Sequence, residues 1–259
     1  MQFNIDPVIF YIADFPILRW YSVAYILGFV CAYLLFKKHN DFLTHTKMES
    51  MFNYAFMGVI FGGRFGYVLF YNFGYYLSHP LQAFAFWQGG MSFHGGLLGV
   101  IIGLYIFCKK NNVSVAQIAD IGPMCVTPGL FFGRIANFIN GELWGAETDL
   151  PIGVVFAQSG TMVPRHPTQL YEALLEGLVL FIITFFMYRR QKHHDGKTCA
   201  WFLILYGSFR FVIEFVRQPD VQLGYILFNT LTMGHILCSA MIICGLIILF
   251  RKKLFKQIA

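Results

Sequence analysis

The chain has 259 residues, 57% of them hydrophobic and only 12% charged, with a net charge of +6, and its mean hydropathy is +0.60. A water-soluble domain carries about 25% charged residues, so this chain lacks the polar surface that a large soluble helical core needs. The composition is that of an all-α polytopic membrane protein, read as a single domain over residues 1–259.

A helix that crosses the hydrocarbon needs about 20 apolar residues, and seven stretches meet or approach that. Residues 1–16 precede them; Asp6, Asp14 and two prolines, with no basic leader, are not the pattern of a secretory signal. The first span is expected over 17–36 and the second over 50–71, where Gly58, Gly62 and Gly66 recur at every fourth position. The third, 92–108, repeats that spacing with Gly95, Gly99 and Gly103. Small residues at this spacing let helix backbones approach closely in lipid. The fourth span, 115–136, carries Asp120, Pro123 and Pro128 and adds one more step, Gly129 and Gly133, so spans two to four are expected to form a tight bundle. An outer loop over 146–164 leads to spans at 168–188, 199–216 and 231–250. The segments GGRFGY (62–67) and FGRIAN (132–137) echo one another at the outer ends of spans two and four, as a remnant of duplication or by coincidence.

Basic residues set the orientation. Lys37, Lys38 and Lys47 follow the first span, and Lys109 and Lys110 the third. Arg189, Arg190, Lys192 and Lys197 follow the fifth, and Arg251, Lys252, Lys253 and Lys256 the seventh. All lie on one side, which the positive-inside rule makes cytoplasmic, with the N-terminus outside and the C-terminus inside. The net positive charge is therefore a mark of topology, and no nucleic-acid partner is expected. Every lysine belongs to this cytoplasmic set, whereas the remaining basic residues, Arg19, Arg64, Arg134, Arg165, Arg210 and Arg217, are all arginine. An arginine fork grips phosphate or carboxylate at two points, which lysine cannot do. The six cysteines are scattered, with no C-x-x-C pair, and no H-x-x-x-H occurs, so neither a metal nor a cofactor is expected.

With that orientation, the unusual polar residues fall in the outer half of the bilayer. They are Tyr21, Arg64, His94, Arg134 and Asn137, then His166, Gln169, Tyr171 and Glu172 in RHPTQLYEALLEG, and Tyr206, Arg210, Glu214 and Arg217 along the sixth span. Ionisable groups at such depth are costly and face a cavity or a partner. Pairing is the competing account: Arg210 and Glu214 are one helical turn apart, and Arg134 and Glu142 flank a helix end. Pairing does not explain why arginines outnumber their acids. A surplus of arginine, with neutral donors around it, suits the phosphate of an anionic membrane lipid.

Specific stretches carry a resemblance. GRIANFINGELWG (133–145) strongly resembles the signature of the bacterial phosphatidylglycerol–prolipoprotein diacylglyceryl transferases. RWYSVAY (19–25), GGRFGYVLFYN (62–72), GGMSFHGGLLG (89–99), RHPTQLYE (165–172) and YGSFRFVIEFVRQPD (206–220) match too, in the family's order. Ala136 stands where many members have glycine, and the 146–164 loop is short beside some relatives. The resemblance implies transfer of the sn-1,2-diacylglyceryl group of phosphatidylglycerol to the lipobox cysteine of a prolipoprotein signal peptide, forming a thioether and releasing glycerol phosphate. It implies a bacterial inner-membrane enzyme whose site faces the periplasm. Carried onto this chain, it makes Arg134 and Arg210 the cationic donors to the leaving phosphate. Tyr206 positions the head group or joins proton transfer. His94 is either the base, the role histidine fills most often near neutral pH, or a group that orients lipid by hydrogen bonding. Asn137, Asn140 and Glu142 organise the cavity mouth, with Glu142 either reacting or holding Arg134. Tyr21, Arg64, Glu214 and Arg217 are further lipid contacts, and Gly145 permits the turn that closes the motif.

Two other classes compete: a transporter or flippase with an anion site, and a structural membrane scaffold. Transporters place their sites near the midplane between repeats, whereas here the polar groups crowd one face. A scaffold does not account for arginine without lysine on that face.

Overall fold

The computed structural model describes residues 2–3, 5–12, 15–218 and 231–250. Asp14, the end of the RQPD motif (Pro219 and Asp220) and the basic tail with Arg251, Lys252, Lys253 and Lys256 lie outside the described residues. The chain packs as two compact units: one comprises the described residues up to His39 and from Ala119 onward, the other Asn40–Ile118.

Helices occupy all seven predicted stretches: α1 (Trp20–His39), α2 (His45–Phe70), α4 (Phe93–Asn111), α5 (Val115–Ile139), the run Thr168–Arg190, α8 (Lys197–Glu214) and α9 (Met233–Phe250). A short helix, α3 (Phe73–Ser78), follows α2. Five of the seven are long and apolar enough to cross a membrane, all except α2 and α8. Helix α2 is diluted by Lys47, Glu49, Arg64 and its glycines, and α8 carries Lys197, Arg210 and Glu214. Large apolar side chains such as Phe29, Val30, Ile101, Ile102, Phe186 and Ile243 stand exposed on these helices. Such a surface suits lipid and not water. The protein is an all-α polytopic membrane protein.

In the Asn40–Ile118 unit, α2 and α4 pack along their lengths. A Cβ on Gly66 would lie 2.6 Å from Gly95 Cα, and one on Gly103 2.6 Å from the Tyr54 carbonyl, so the two glycine ladders are the contact surface. Gly129 of α5 faces Gly28 of α1, and a Cβ on Gly133 would meet nothing within 4 Å.

In the other unit, an antiparallel hairpin of β2 (Val8–Ile12) and β3 (Phe15–Arg19) precedes α1. The first span therefore starts at Trp20 and not at 17. The two-residue strand β1 (Gln2–Phe3) pairs in parallel with β4 (Val155–Phe156) of the outer loop. Helix α5 stays helical through both prolines. Its buried Asp120 accepts hydrogen bonds from the Gly196 and Cys199 amides, at 2.9 and 3.1 Å, and from Gln191 Nε2 at 2.8 Å. The carboxylate thereby caps the start of α8, where unpaired amides and the helix dipole favour an anion. The Thr168–Arg190 run is composite: α6 (Thr168–Glu172), a π-helical stretch (Ala173–Val179) and α7 (Leu180–Arg190). Helices α8 and α9 pack as a pair. Of the cysteines, Cys108, Cys125 and Cys238 are buried and Cys244 is exposed.

Candidate active site

Three arginines converge on one carboxylate. Glu172 ends α6 with its side chain buried, and Arg134 Nε of α5 lies 2.5 Å from its Oε2. Arg210 of α8 also pairs with Glu172, and Arg217, just beyond α8, reaches the same Oε1 at 3.0 Å. Arg210 divides its fork, with Nη2 2.8 Å from Glu214 Oε2. The i, i+4 pairing expected from sequence is thus present, within a larger network. Glu214 Oε1 accepts the Thr232 hydroxyl at 2.7 Å, and Thr232 lies against buried His235. A buried ion pair holds only when hydrogen bonds satisfy its remaining atoms, and here each charge touches at least one opposite charge.

The 133–145 segment supplies the next layer. Arg134 Nη1 donates to Asn137 Oδ1 at 3.3 Å, and Asn137 Nδ2 donates to Glu142 Oε1 at 2.8 Å. Asn140 Nδ2 reaches the same oxygen at 3.2 Å, and Gln169 donates to the Glu142 carbonyl at 2.7 Å. The expected direct Arg134–Glu142 bridge is replaced by this relay: Glu142 orients Asn137, which steadies Arg134. The turn after α5 takes its positive φ angles at Gly141 (63°) and Leu143 (60°), not at Gly145. Gly145 serves close packing instead. Its amide bonds the His166 carbonyl at 2.8 Å, and a Cβ there would sit 2.5 Å from the Val216 carbonyl and 2.7 Å from Thr168 Cγ2. That contact brings the 133–145 segment against the strand-like backbone of Arg217.

Tyr206 lies on α8 within electrostatic reach of Glu172, Glu176, Arg134 and Arg210. Tyr21, at the start of α1, stands exposed with its ring 5.0 Å from Tyr25. Arg165 is spent on the outer loop, bonding Glu147 at 3.0 Å and Gln218 at 2.8 Å. A largely apolar groove of about 370 Å³ runs along α1, α5 and the π stretch, lined by Leu34, Leu35, Phe131, Phe132, Leu178 and Phe181 among others, with Lys38 at its edge.

Two predicted residues lie in the other unit. Arg64 is buried, and its fork bonds four backbone carbonyls: Ala83 at 2.8 Å, Gln82 at 2.6 Å, Gly89 at 2.5 Å and Gly90 at 3.3 Å. It clamps the 80–90 segment. The echo with Arg134 thus hides two different tasks, one arginine holding backbone and the other a carboxylate. His94 sits exposed in the first turn of α4, which Ser92 caps through the Gly95 amide.

Sequence reasoning named Glu172 among the outer polar groups without giving it a role, and passed over Glu176. A signal was available: two carboxylates one turn apart in an otherwise apolar span, where each demands a partner.

A polytopic helical protein with three arginines gathered in its buried interior has the makings of a membrane enzyme or carrier for an anionic lipid. Comparison with known proteins selects between these. The chain belongs to the prolipoprotein diacylglyceryl transferase family, whose profile matches residues 7–251. It is similar to the phosphatidylglycerol–prolipoprotein diacylglyceryl transferase of Ehrlichia canis, 50% identical over 245 residues that cover 93% of this chain and 94% of the relative. The protein of the same name in Nitratidesulfovibrio vulgaris is 46% identical over 94% of this chain and 93% of its own length. That of Methylococcus capsulatus is 46% identical over 95% and 94%. The chain is accordingly a membrane transferase, not a scaffold or a transporter.

Proposed function

We propose that this chain moves the sn-1,2-diacylglyceryl group of phosphatidylglycerol to the lipobox cysteine of a prolipoprotein. The convergence of Arg134, Arg210 and Arg217 on buried Glu172 carries this reading beyond family membership. The thiolate sulfur attacks the glycerol carbon that bears the phosphate. A C–S bond forms, the C–O bond breaks, and glycerol phosphate leaves. A free thiol has a pKa of about 8.5, and cationic surroundings raise its thiolate fraction. Charge builds on the departing phosphate oxygen, where fixed cations lower the barrier most.

Arg134 and Arg210 are the donors to that phosphate. Their side chains are 21% and 14% exposed, and carboxylates hold each guanidinium in place. Glu172 prevents the arginines from swinging to water, and Arg217 neutralises it further. Asn137, Asn140 and Glu142 hold Arg134 in its rotamer, which assigns Glu142 to positioning. Tyr206 orients the glycerol head group, and Glu214 fixes Arg210. The apolar groove receives an acyl chain. Tyr21 is a further lipid contact, and His94 is the proton acceptor or an orienting group. Arg64 acts at one remove, by holding the 80–90 segment.

The last turns of α1, α4 and α7 are basic, and this supports seven spans with the N-terminus outside and the C-terminus inside. The site then faces the periplasmic side of a bacterial inner membrane, where the signal peptide presents its cysteine, and the whole chain acts as one domain.

The test is purified protein with labelled phosphatidylglycerol and a lipobox peptide. Label should pass to the cysteine peptide and not to its Cys→Ser form. Equal transfer to both would refute the thiol chemistry.

A further inference from the structure

Glu176 is a buried carboxylate that the reaction as described does not use. It lies one turn beyond Glu172 on the π stretch, fully buried, with the Tyr206 hydroxyl as its one hydrogen-bonding neighbour among the described residues. Such stretches cluster at functional positions, because the widened turn re-aims side chains. The groups that face it come from three other elements as well as its own: Glu172, Arg134 of α5, and Arg210 and Tyr206 of α8, with the Cys238 thiol of α9 also in range. Beyond these, Glu214 and, through Thr232, His235 complete the cluster.

The guanidiniums are already committed. Arg134 and Arg217 bond Glu172, and Arg210 is divided between Glu172 and Glu214. An ionised Glu176 would be a buried anion beside a second anion, with only the Tyr206 hydroxyl to donate to it and no guanidinium of its own, and such a charge is costly to hold. Three arginines against Glu172 and Glu214 leave one net positive charge. An ionised Glu176 would cancel that charge; so would the single negative charge of a phosphodiester.

We propose that Glu176 must be protonated for the site to hold the lipid phosphate, so that phosphatidylglycerol binding is coupled to the proton on this carboxyl. The inference rests on the reading of the arginine cluster as the phosphate site. The sign follows directly. Ionised Glu176 competes with the phosphate for the same positive charge, so affinity falls as pH rises through its ionisation, by up to about tenfold per pH unit. The phosphodiester itself does not titrate in this range.

The experiment measures phosphatidylglycerol binding to the full protein in neutral detergent micelles between about pH 6 and 9, for wild type and Glu176→Gln. Wild-type affinity should weaken with pH, and the Glu176→Gln profile should be flat at the low-pH affinity. A flat wild-type profile overturns the proposal. So does a slope that survives in Glu176→Gln, which would belong to His235 or His166 instead. A second measurement needs no variant: in weakly buffered solution at the alkaline end, wild-type protein should take up one proton per lipid bound, and no uptake overturns the coupling. If wild type binds no phosphatidylglycerol at any pH, the phosphate-site reading itself fails, a different result from binding without pH dependence.

Discussion

Replacing Glu172 with glutamine removes one negative charge and almost no volume, so its effect is electrostatic. The carboxylate is 1% exposed and meets three guanidiniums, two of them at 2.5 and 3.0 Å. At an effective dielectric of about 20, each pair near 3 Å is worth about 5 kcal/mol of gross attraction, most of it offset by the desolvation of both partners. Breaking a buried pair by removing one partner costs about 3–5 kcal/mol, because the other charge is left uncompensated. Here Arg134 and Arg217 would both lose their carboxylate while Arg210 kept only Glu214, which places the loss at the upper end of that range. For a chain of this size about 1 kcal/mol moves the melting temperature by about 2–4 °C, so Glu172→Gln should lower it by about 10 °C or more. Thermal unfolding in detergent, followed by intrinsic fluorescence, measures this directly. Lipid transfer assayed well below the melt should also fall at least tenfold, since the arginines lose the group that aims them. A variant that melts within about 2 °C of wild type and turns over normally would refute Glu172 as the hub.

Arg134→Lys and Arg210→Lys should each lose most transfer activity, because an ammonium cannot grip carboxylate and phosphate together; near-normal turnover in both would remove the phosphate-clamp argument. Asp120→Asn keeps the shape of the α8 cap but removes its charge, and should cost about 1–3 kcal/mol in thermal unfolding. Turnover below the melt should stay unchanged, since Asp120 lies about 21 Å along α5 from Arg134. Arg64→Lys gives up most of four backbone bonds, and limited proteolysis should then cut within 80–90 at least tenfold faster; an unchanged rate would show that the clamp is dispensable.

The spans were legible because a bilayer imposes length and apolarity on any crossing helix, and α1, α4, α5 and α9 follow the apolar runs to within a few residues. The β2–β3 hairpin was not, because its strands are short and merge with the apolar run of α1. In the site, Arg210 with Glu214 could be read from helical spacing alone. The role of Glu172 could not, for it depends on α5, α6 and α8 meeting, which no local pattern encodes. Gly145 was assigned to a turn because glycine most often signals one, whereas its real constraint is the Val216 backbone, 71 residues on. Arg64 and Arg134 share a motif but not a task, and only tertiary partners separate them.

The central claim is a bond-specific transfer at the arginine cluster. Phosphatidylglycerol labelled in both its acyl chains and its phosphate, incubated with the protein and a lipobox peptide, tests it most directly. The acyl label should appear on the peptide cysteine while the phosphate label leaves as glycerol phosphate, and Arg134→Lys should suppress both. Both labels on the peptide, or acyl label on a peptide without cysteine, would contradict the account.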